Sequence, residues 1–212
     1  ICKCIQFLLS SNLSEVISIF VATLFGFTIL KPPHILFINL VTDSLPALAL
    51  GAEKAEPDIM TRKPRKSNEG IFAGGMGFNV FYQGVLISII TLAAYFIGHR
   101  MEAGVWEIAE SADGITMAFL AMSMAEIFHA YNMRSHDSIF RLRTHNMLLF
   151  GTMILSLLLT SAVIFIPALS GLFGFESIDL KEYLVALALA FSIIPLVEII
   201  KAVQRKIGKN KN

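Results

Sequence analysis

Six long apolar stretches constrain this chain more than anything else in it. They run over residues 5–29, 34–51, 72–98, 115–132, 146–166 and 181–200, each close to the roughly 20 residues an α-helix needs to cross a bilayer core. Backbone N–H and C=O groups at membrane depth find no water, so each stretch must close its own hydrogen bonds as a helix. The expected fold is all-α: a polytopic membrane bundle of six transmembrane helices, with no sizeable water-soluble domain. Composition agrees, with 55% hydrophobic and 16% charged residues, where about 25% charged is usual for soluble chains. The sequence starts at Ile1 without an initiator Met or a signal-peptide pattern. A piece of a longer protein is therefore expected.

Loop charges set the expected orientation. Lys54, Arg62, Lys63, Arg65 and Lys66 lie between the second and third stretches, and Arg134, Arg141 and Arg143 between the fourth and fifth. Lys201, Arg205, Lys206, Lys209 and Lys211 follow the sixth. The alternate loops hold Lys31, Arg100 and Lys181, and the 99–114 loop is acidic through Glu102, Glu107, Glu110 and Asp113. By the positive-inside rule both termini and both basic loops face the cytoplasm. Cys2 and Cys4, too close for an easy mutual disulfide, are expected as free thiols on that reducing face. Gly74, Gly75 and Gly77 lack the preceding strand of a phosphate loop and read as close helix packing.

Polar residues inside the apolar stretches carry the chemistry. The segment Asn39-Leu40-Val41-Thr42-Asp43-Ser44-Leu45-Pro46 places a carboxylate where Asp costs roughly 2.5–3.5 kcal/mol. On a regular helix Asn39, Thr42 and Asp43 share one face. Pro46 clashes with the Thr42 carbonyl and donates nothing to it, leaving a backbone acceptor beside those side chains. The turn Lys31-Pro32-Pro33 makes the first two helices a hairpin, so Asn12 and Glu15 of the first can meet this face. Glu126 adds a third carboxylate from the fourth stretch, with His129 one turn on. No Lys or Arg lies at matching depth, and three acids cannot stay ionised together in a low dielectric without a counter-cation. A metal ion neutralises them, or protons do in some states. Hard oxygens from Asn, Thr, Glu and Asp suit Ca2+ better than Zn2+, and Mg2+ is the harder of the two to exclude. A polar helix–helix contact with Pro46 as a simple kink is the plain alternative, and it leaves three acids without basic partners.

The stretches Ser11-Asn12-Leu13-Ser14-Glu15-Val16 and Asn39-Leu40-Val41-Thr42-Asp43-Ser44-Leu45-Pro46, with Glu126, resemble the calcium-transporting P-type ATPases of the sarco/endoplasmic reticulum type and their bacterial relatives. The resemblance covers essentially the whole chain and implies the fifth to tenth helices of the pump, in a multi-pass protein of a bacterial cell membrane. Sodium/potassium pumps carry Asp where this chain has Asn39. Plasma-membrane calcium pumps usually lack the acid at Glu15 and the hydroxyl at Thr42.

Carried over, one Ca2+ site would use Asn12, Glu15, Thr42, Asp43 and Glu126, and a second Asn39 and Asp43 with groups from a helix outside these residues. Protons would return in exchange. The phosphorylation motif Asp-Lys-Thr-Gly does not occur in this sequence. ATP and Mg2+ would therefore act only in the full-length parent, and this chain alone would be inactive. Expected partners are the lipid bilayer and the remaining pump domains: the first four helices, and a phosphorylation domain docking on the 52–69 loop. No nucleic-acid partner is expected. Ser44 stands where Gly is common in the family, which bears on local unwinding. His129 stands where Asn is frequent, and a satisfied interhelical His is favoured over a ligand. A secondary cation transporter or channel subunit is the competing class; its expected internal repeat is absent, since the last three stretches hold no counterpart of the Asn-x-x-Thr-Asp segment.

Overall fold

A computed structural model describes residues 1–53, 70, 72, 75–135, 138–139 and 146–209. Among them the chain is all-helical. The helices are α1 (Cys2–Phe25), α2 (Pro32–Phe37), α3 (Ser44–Gly51), α4 (Met76–Ala103), α5 (Ala112–Asn132), α6 (Met147–Phe165), α7 (Pro167–Phe173), α8 (Leu180–Phe191) and α9 (Ile193–Lys209), and a π-helical turn, Ile38–Asp43, joins α2 to α3. Among the described residues five segments are long and apolar enough to cross a membrane: Cys2–Phe25, Pro32–Gly51, Met76–Ala103, Met147–Phe165 and Leu180–Ile207. The remaining long helix, α5, has 21 residues.

Local sequence chemistry fixes the helix ends. Gly26 closes α1 at φ +82°, a left-handed conformation that costs Gly little, and its N–H returns to the Ala22 and Thr23 carbonyls. Pro32 then opens α2, where its missing N–H removes no helical bond. The expected hairpin forms. Ser111 caps α5 by accepting the Gly114 N–H, and Asn146 caps α6 by accepting from Leu149. Asp179 and Glu182 close a reciprocal capping box at the start of α8.

Helix α5 is the axis of the bundle. From Gly114 to Asn132 every residue is buried or half-buried, enclosed by α4, α8, α6, α9 and α1. A helix covered all round need not be apolar all round, so Thr116, Ser123, Glu126, His129 and Asn132 are tolerated there. Helices α1 and α6 are the opposite case. Val16, Phe20, Leu24 and Phe25 of α1, and Met147, Leu148, Ile154 and Leu158 of α6, are exposed apolar residues suited to lipid or to further helices.

Close approach of α4 to its neighbours rests on glycines that the sequence reading did not single out. A Cβ at Gly84 would stand 3.0 Å from Leu13, and one at Gly98 would stand 3.0 Å from the Asp113 carbonyl oxygen. The run chosen for packing behaves otherwise. Gly74 lies outside the described residues, Gly75 takes φ +84° ahead of α4, and a Cβ on Gly77 meets nothing nearer than 3.8 Å. Among the described residues no backbone approaches Gly75 or Gly77 as closely as it does Gly98.

Two rods differ from the uninterrupted spans expected over 34–51 and 181–200. The first contains the π turn. The second breaks at Ser192, between α8 and α9, because Pro195 cannot donate to the Phe191 carbonyl. Asn132 of α5 donates to the Ile193 carbonyl at this break (3.2 Å). Cys2 and Cys4 are free thiols. Residues 54–69, with the basic side chains of the proposed docking loop, lie outside the described residues, as do Arg141, Arg143 and Lys211.

Packing of α4 yields a test. Gly98→Val places branched carbons against the α5 backbone and is expected to destabilise the protein by about 1–3 kcal/mol, the usual cost of overpacking. Gly151→Ala, where a Cβ meets nothing within 4 Å, is expected to leave the melting temperature in detergent unchanged. Equal melting temperatures for the two variants would overturn the close-approach reading.

Candidate cation site

Three helices bring one carboxylate each into the interior. Glu15 of α1, Asp43 at the end of the π turn and Glu126 of α5 are 5%, 1% and 0% exposed, and they lie close enough for their charges to interact. At that burial each needs hydrogen-bond donors or a counter-charge. The Thr42 and Ser14 hydroxyls stand 3.3 and 3.4 Å from the Glu126 oxygens, each sharing its one proton with a nearer backbone carbonyl. Glu15 receives the Asn39 amide, with Nδ2 3.1 Å from Oε1 and 3.3 Å from Oε2. Both Asp43 carboxylate oxygens are buried without a hydrogen bond of normal length, and the Ser11 hydroxyl stands beside them as a weak donor.

The π turn explains this division. A wide turn with i→i+5 bonding absorbs the hydrogen bond that Pro46 cannot give, so the rod bends without unwinding. Ser44 donates its hydroxyl five residues back to the Asn39 carbonyl at 2.7 Å, and Thr42 donates to the Ile38 carbonyl at 2.9 Å. The single face expected for Asn39, Thr42 and Asp43 is opened out by the same widening. Asn39 turns towards α1 and Thr42 towards α5, leaving Asp43 between two helices and bonded to neither.

Of the six residues singled out from the sequence, Glu15, Asn39, Thr42, Asp43 and Glu126 assemble here. Asn12 does not. It sits on the exposed side of α1, its amide donating to the Leu8 carbonyl at 2.9 Å. Three residues on an α-helix leave about 60° between side chains, enough to put Glu15 inside and Asn12 outside. Ser14 was missed, although its place beside Glu15 in the polar run of α1 was visible; its hydroxyl also donates to the Ser11 carbonyl at 2.7 Å. His129 departs from expectation. Both ring nitrogens are buried without a partner, and the ring lies 6.3 Å from that of Phe7. Burial among α5's neighbours supplies no acceptor, so the satisfied interhelical histidine is not what forms.

Chemically, this is a buried, acid-rich cluster with hydroxyl and amide groups beside carboxyl groups. Its hard-oxygen donors fit a cation of the Ca2+ class, and two orphaned acceptors at Asp43 are what such an ion would satisfy. Among the described residues no three acidic, His or Cys side chains stand close enough to hold one ion as arranged here. Cation capture therefore requires the carboxylates to draw in, with Asn39 presenting its oxygen instead of its amide hydrogens.

Residues 27–203 match the family model described as the C-terminus of cation-transporting ATPases. The chain belongs to that family. It is 39% identical, over 96% of its length, to calcium-transporting ATPase 1 of Bacillus cereus, of which it covers 24%. To a calcium-transporting ATPase of Listeria monocytogenes it is 37% identical, covering 98% of this chain and 23% of the relative. To an endoplasmic reticulum-type calcium-transporting ATPase of Arabidopsis thaliana the identity is 30%, over 96% of this chain and 23% of the relative. The chain thus spans about a quarter of the length of these relatives. As a cation-transporting ATPase C-terminus with five apolar helices of spanning length, it is part of a multi-pass membrane protein.

The shared acceptor gives a prediction. Thr42→Val and Ser14→Ala each remove a hydroxyl whose proton is shared with Glu126, and each is expected to cost about 0.5–1.5 kcal/mol, the net value of one hydrogen bond. Because both serve one carboxylate, their effects should not add in the double variant. Thermal melts of the purified parent protein measure both, and strict additivity would contradict the shared site.

Proposed function

We propose that this chain is the C-terminal membrane half of an ATP-driven Ca2+ pump and supplies most of the transported ion's side-chain ligands. The observation that carries this reading is Asp43: two buried, unpaired carboxylate oxygens between Glu15 and Glu126, with no basic partner at that depth. Calcium transport named in the relatives supports the choice of ion, and the pump reading is favoured over a secondary transporter or channel subunit. Glu15, Thr42, Asp43 and Glu126 would hold one ion, and Asn12 would join them only when α1 turns its amide oxygen inward. Asn39 and Asp43 would serve a second ion together with a helix outside this chain. When the cation leaves, protons take its place on the carboxylates, which makes proton counter-transport the matching return step.

With α5 counted as the sixth span, both termini lie on one side of the membrane. The positive charges of the 52–71 and 133–145 segments and of the tail make that side the cytoplasm. The 52–69 loop then faces the phosphorylation domain, where ATP and Mg2+ act in the parent, and the first four helices complete the ion path. The Bacillus cereus and Listeria monocytogenes relatives support a bacterial cell membrane as the parent's location.

In the full-length protein, Asp43→Asn is expected to abolish Ca2+-dependent phosphorylation by ATP, or to raise the Ca2+ requirement at least about a hundredfold, as removal of a charged ligand from a buried site does. Unchanged Ca2+ activation would sink the site. Calorimetry on the isolated chain should find Ca2+ binding far weaker than in the parent, because the remaining ligands lie elsewhere. Micromolar binding by the chain alone would contradict the division of ligands.

A further inference from the structure

We infer that Arg134 is a positioning residue for the cation cluster, fastening the near ends of the three carboxylate-bearing helices to a single turn. This rests on the reading of Glu15, Asp43 and Glu126 as the cation site. Arg134 follows α5 directly and is 2% exposed, an unusual place for a guanidinium. Its Nη2 and Nε donate to the two carboxylate oxygens of Glu53, at 3.0 and 3.4 Å, and its plane lies 5.5 Å from the Tyr131 ring. Glu53 comes just after α3. The Arg134 carbonyl accepts from Lys3 Nζ, in the first turn of α1, at 2.6 Å. One residue therefore holds α5, α3 and α1 together at the same end of the bundle.

Neighbouring bonds stiffen that turn. Asn146, the cap of α6, donates to Glu53 and to the Ala49 carbonyl. Lys201 of α9, 5% exposed, donates to the Asn132 and Ser135 carbonyls at 2.7 Å each and pairs with Glu198 at 3.4 Å. An ammonium at the C-terminus of α5 also meets the negative end of the helix dipole. Glu198 in turn accepts the Ile139 N–H at 3.2 Å. The Glu198–Lys201 pair is thus one strand of a larger clamp.

Distance makes the turn a lever on the site. Glu126 lies eight residues before Arg134, Asp43 ten before Glu53, and Glu15 twelve after Lys3, or roughly 12–18 Å along helices that rise 1.5 Å per residue. Regular helices transmit an end displacement over such lengths, and the π turn is the break within α2–α3. Breaking a buried ion pair leaves an unpaired charge that the surroundings must move to accommodate. Lys cannot copy the two-point contact of a guanidinium with a carboxylate. The helix ends would shift, and the carboxylates with them.

The test uses the full-length pump and reads Ca2+ activation of phosphorylation by ATP, with melting temperature measured alongside. Arg134→Met and Glu53→Gln are each expected to raise the half-activating Ca2+ concentration by roughly twofold to thirtyfold, the range for residues that bias a site without touching its ligand. The plateau per folded molecule should be kept. The double variant should shift no further than either single one, and Arg134→Lys should fall between Met and wild type. A lower melting temperature or plateau with an unchanged half-activating concentration would show a merely structural role and overturn the inference. If Arg134→Met does not fold, Arg134→Lys and Glu53→Gln decide by the same criterion. Asp43→Asn run in parallel separates the two readings: if it leaves Ca2+ activation intact, the cation site fails; if it abolishes activation while the Arg134 and Glu53 variants leave the half-activating concentration unchanged, only the positioning role fails.

Discussion

Burying three carboxylates in a helical bundle, with no basic side chain at their depth, is the constraint on which the rest of this molecule depends. Each acid has to be compensated by what surrounds it, because water is not there to do it. Two of them are met by neutral donors borrowed across helix boundaries: Asn39 for Glu15, and Thr42 with Ser14 for Glu126. These contacts link α1, the α2–α3 rod and α5 in addition to their apolar packing. Asp43 is left over.

The position of α5 follows from the same constraint. An acid-bearing helix facing lipid would be expensive, so α5 is wrapped on all sides and the more apolar helices take the outside. Enclosure requires close approach, and the close approach falls at Gly84 and Gly98 on α4. Polar residues on α5 are consequently marks of interior position. Their presence also keeps it out of the set of apolar spans, although its 21 residues are long enough to cross.

Much of this was legible in the sequence, for definable reasons. Spans were visible because membrane depth forces apolar composition over a known length. The acids at 15, 43 and 126 were visible because they violate that composition. What failed depended on angles and on neighbours. The widening at Ile38–Asp43 changed which way Asn39 and Thr42 point, and no periodicity argument built on 3.6 residues per turn contains it. Asn12 was assigned by spacing to the same face as Glu15, but 60° separates inside from outside when the wall of a bundle is one helix thick. Ser14 looked like part of a polar run until Glu126 was placed beside it. The glycines at 74–77 and those at 84 and 98 are alike in sequence; only the crossing partner distinguishes them.

The hydroxyl groups and the ions divide the structural work. Around the carboxyl groups the contacts are long, 3.1–3.4 Å, and the two hydroxyls share their protons with backbone carbonyls, so they are readily exchanged for others. At the end of the bundle they are charge-assisted contacts of buried Arg134 and Lys201, costly to break because a lone buried charge remains. A cation entering at Asp43 would displace the first kind, turning the Asn39 amide and releasing the Thr42 and Ser14 hydroxyls, without enough energy at stake to undo the second. The helices would then rearrange about a fixed end. That ordering of strengths lets a site loosen and re-form within a bundle whose fold does not.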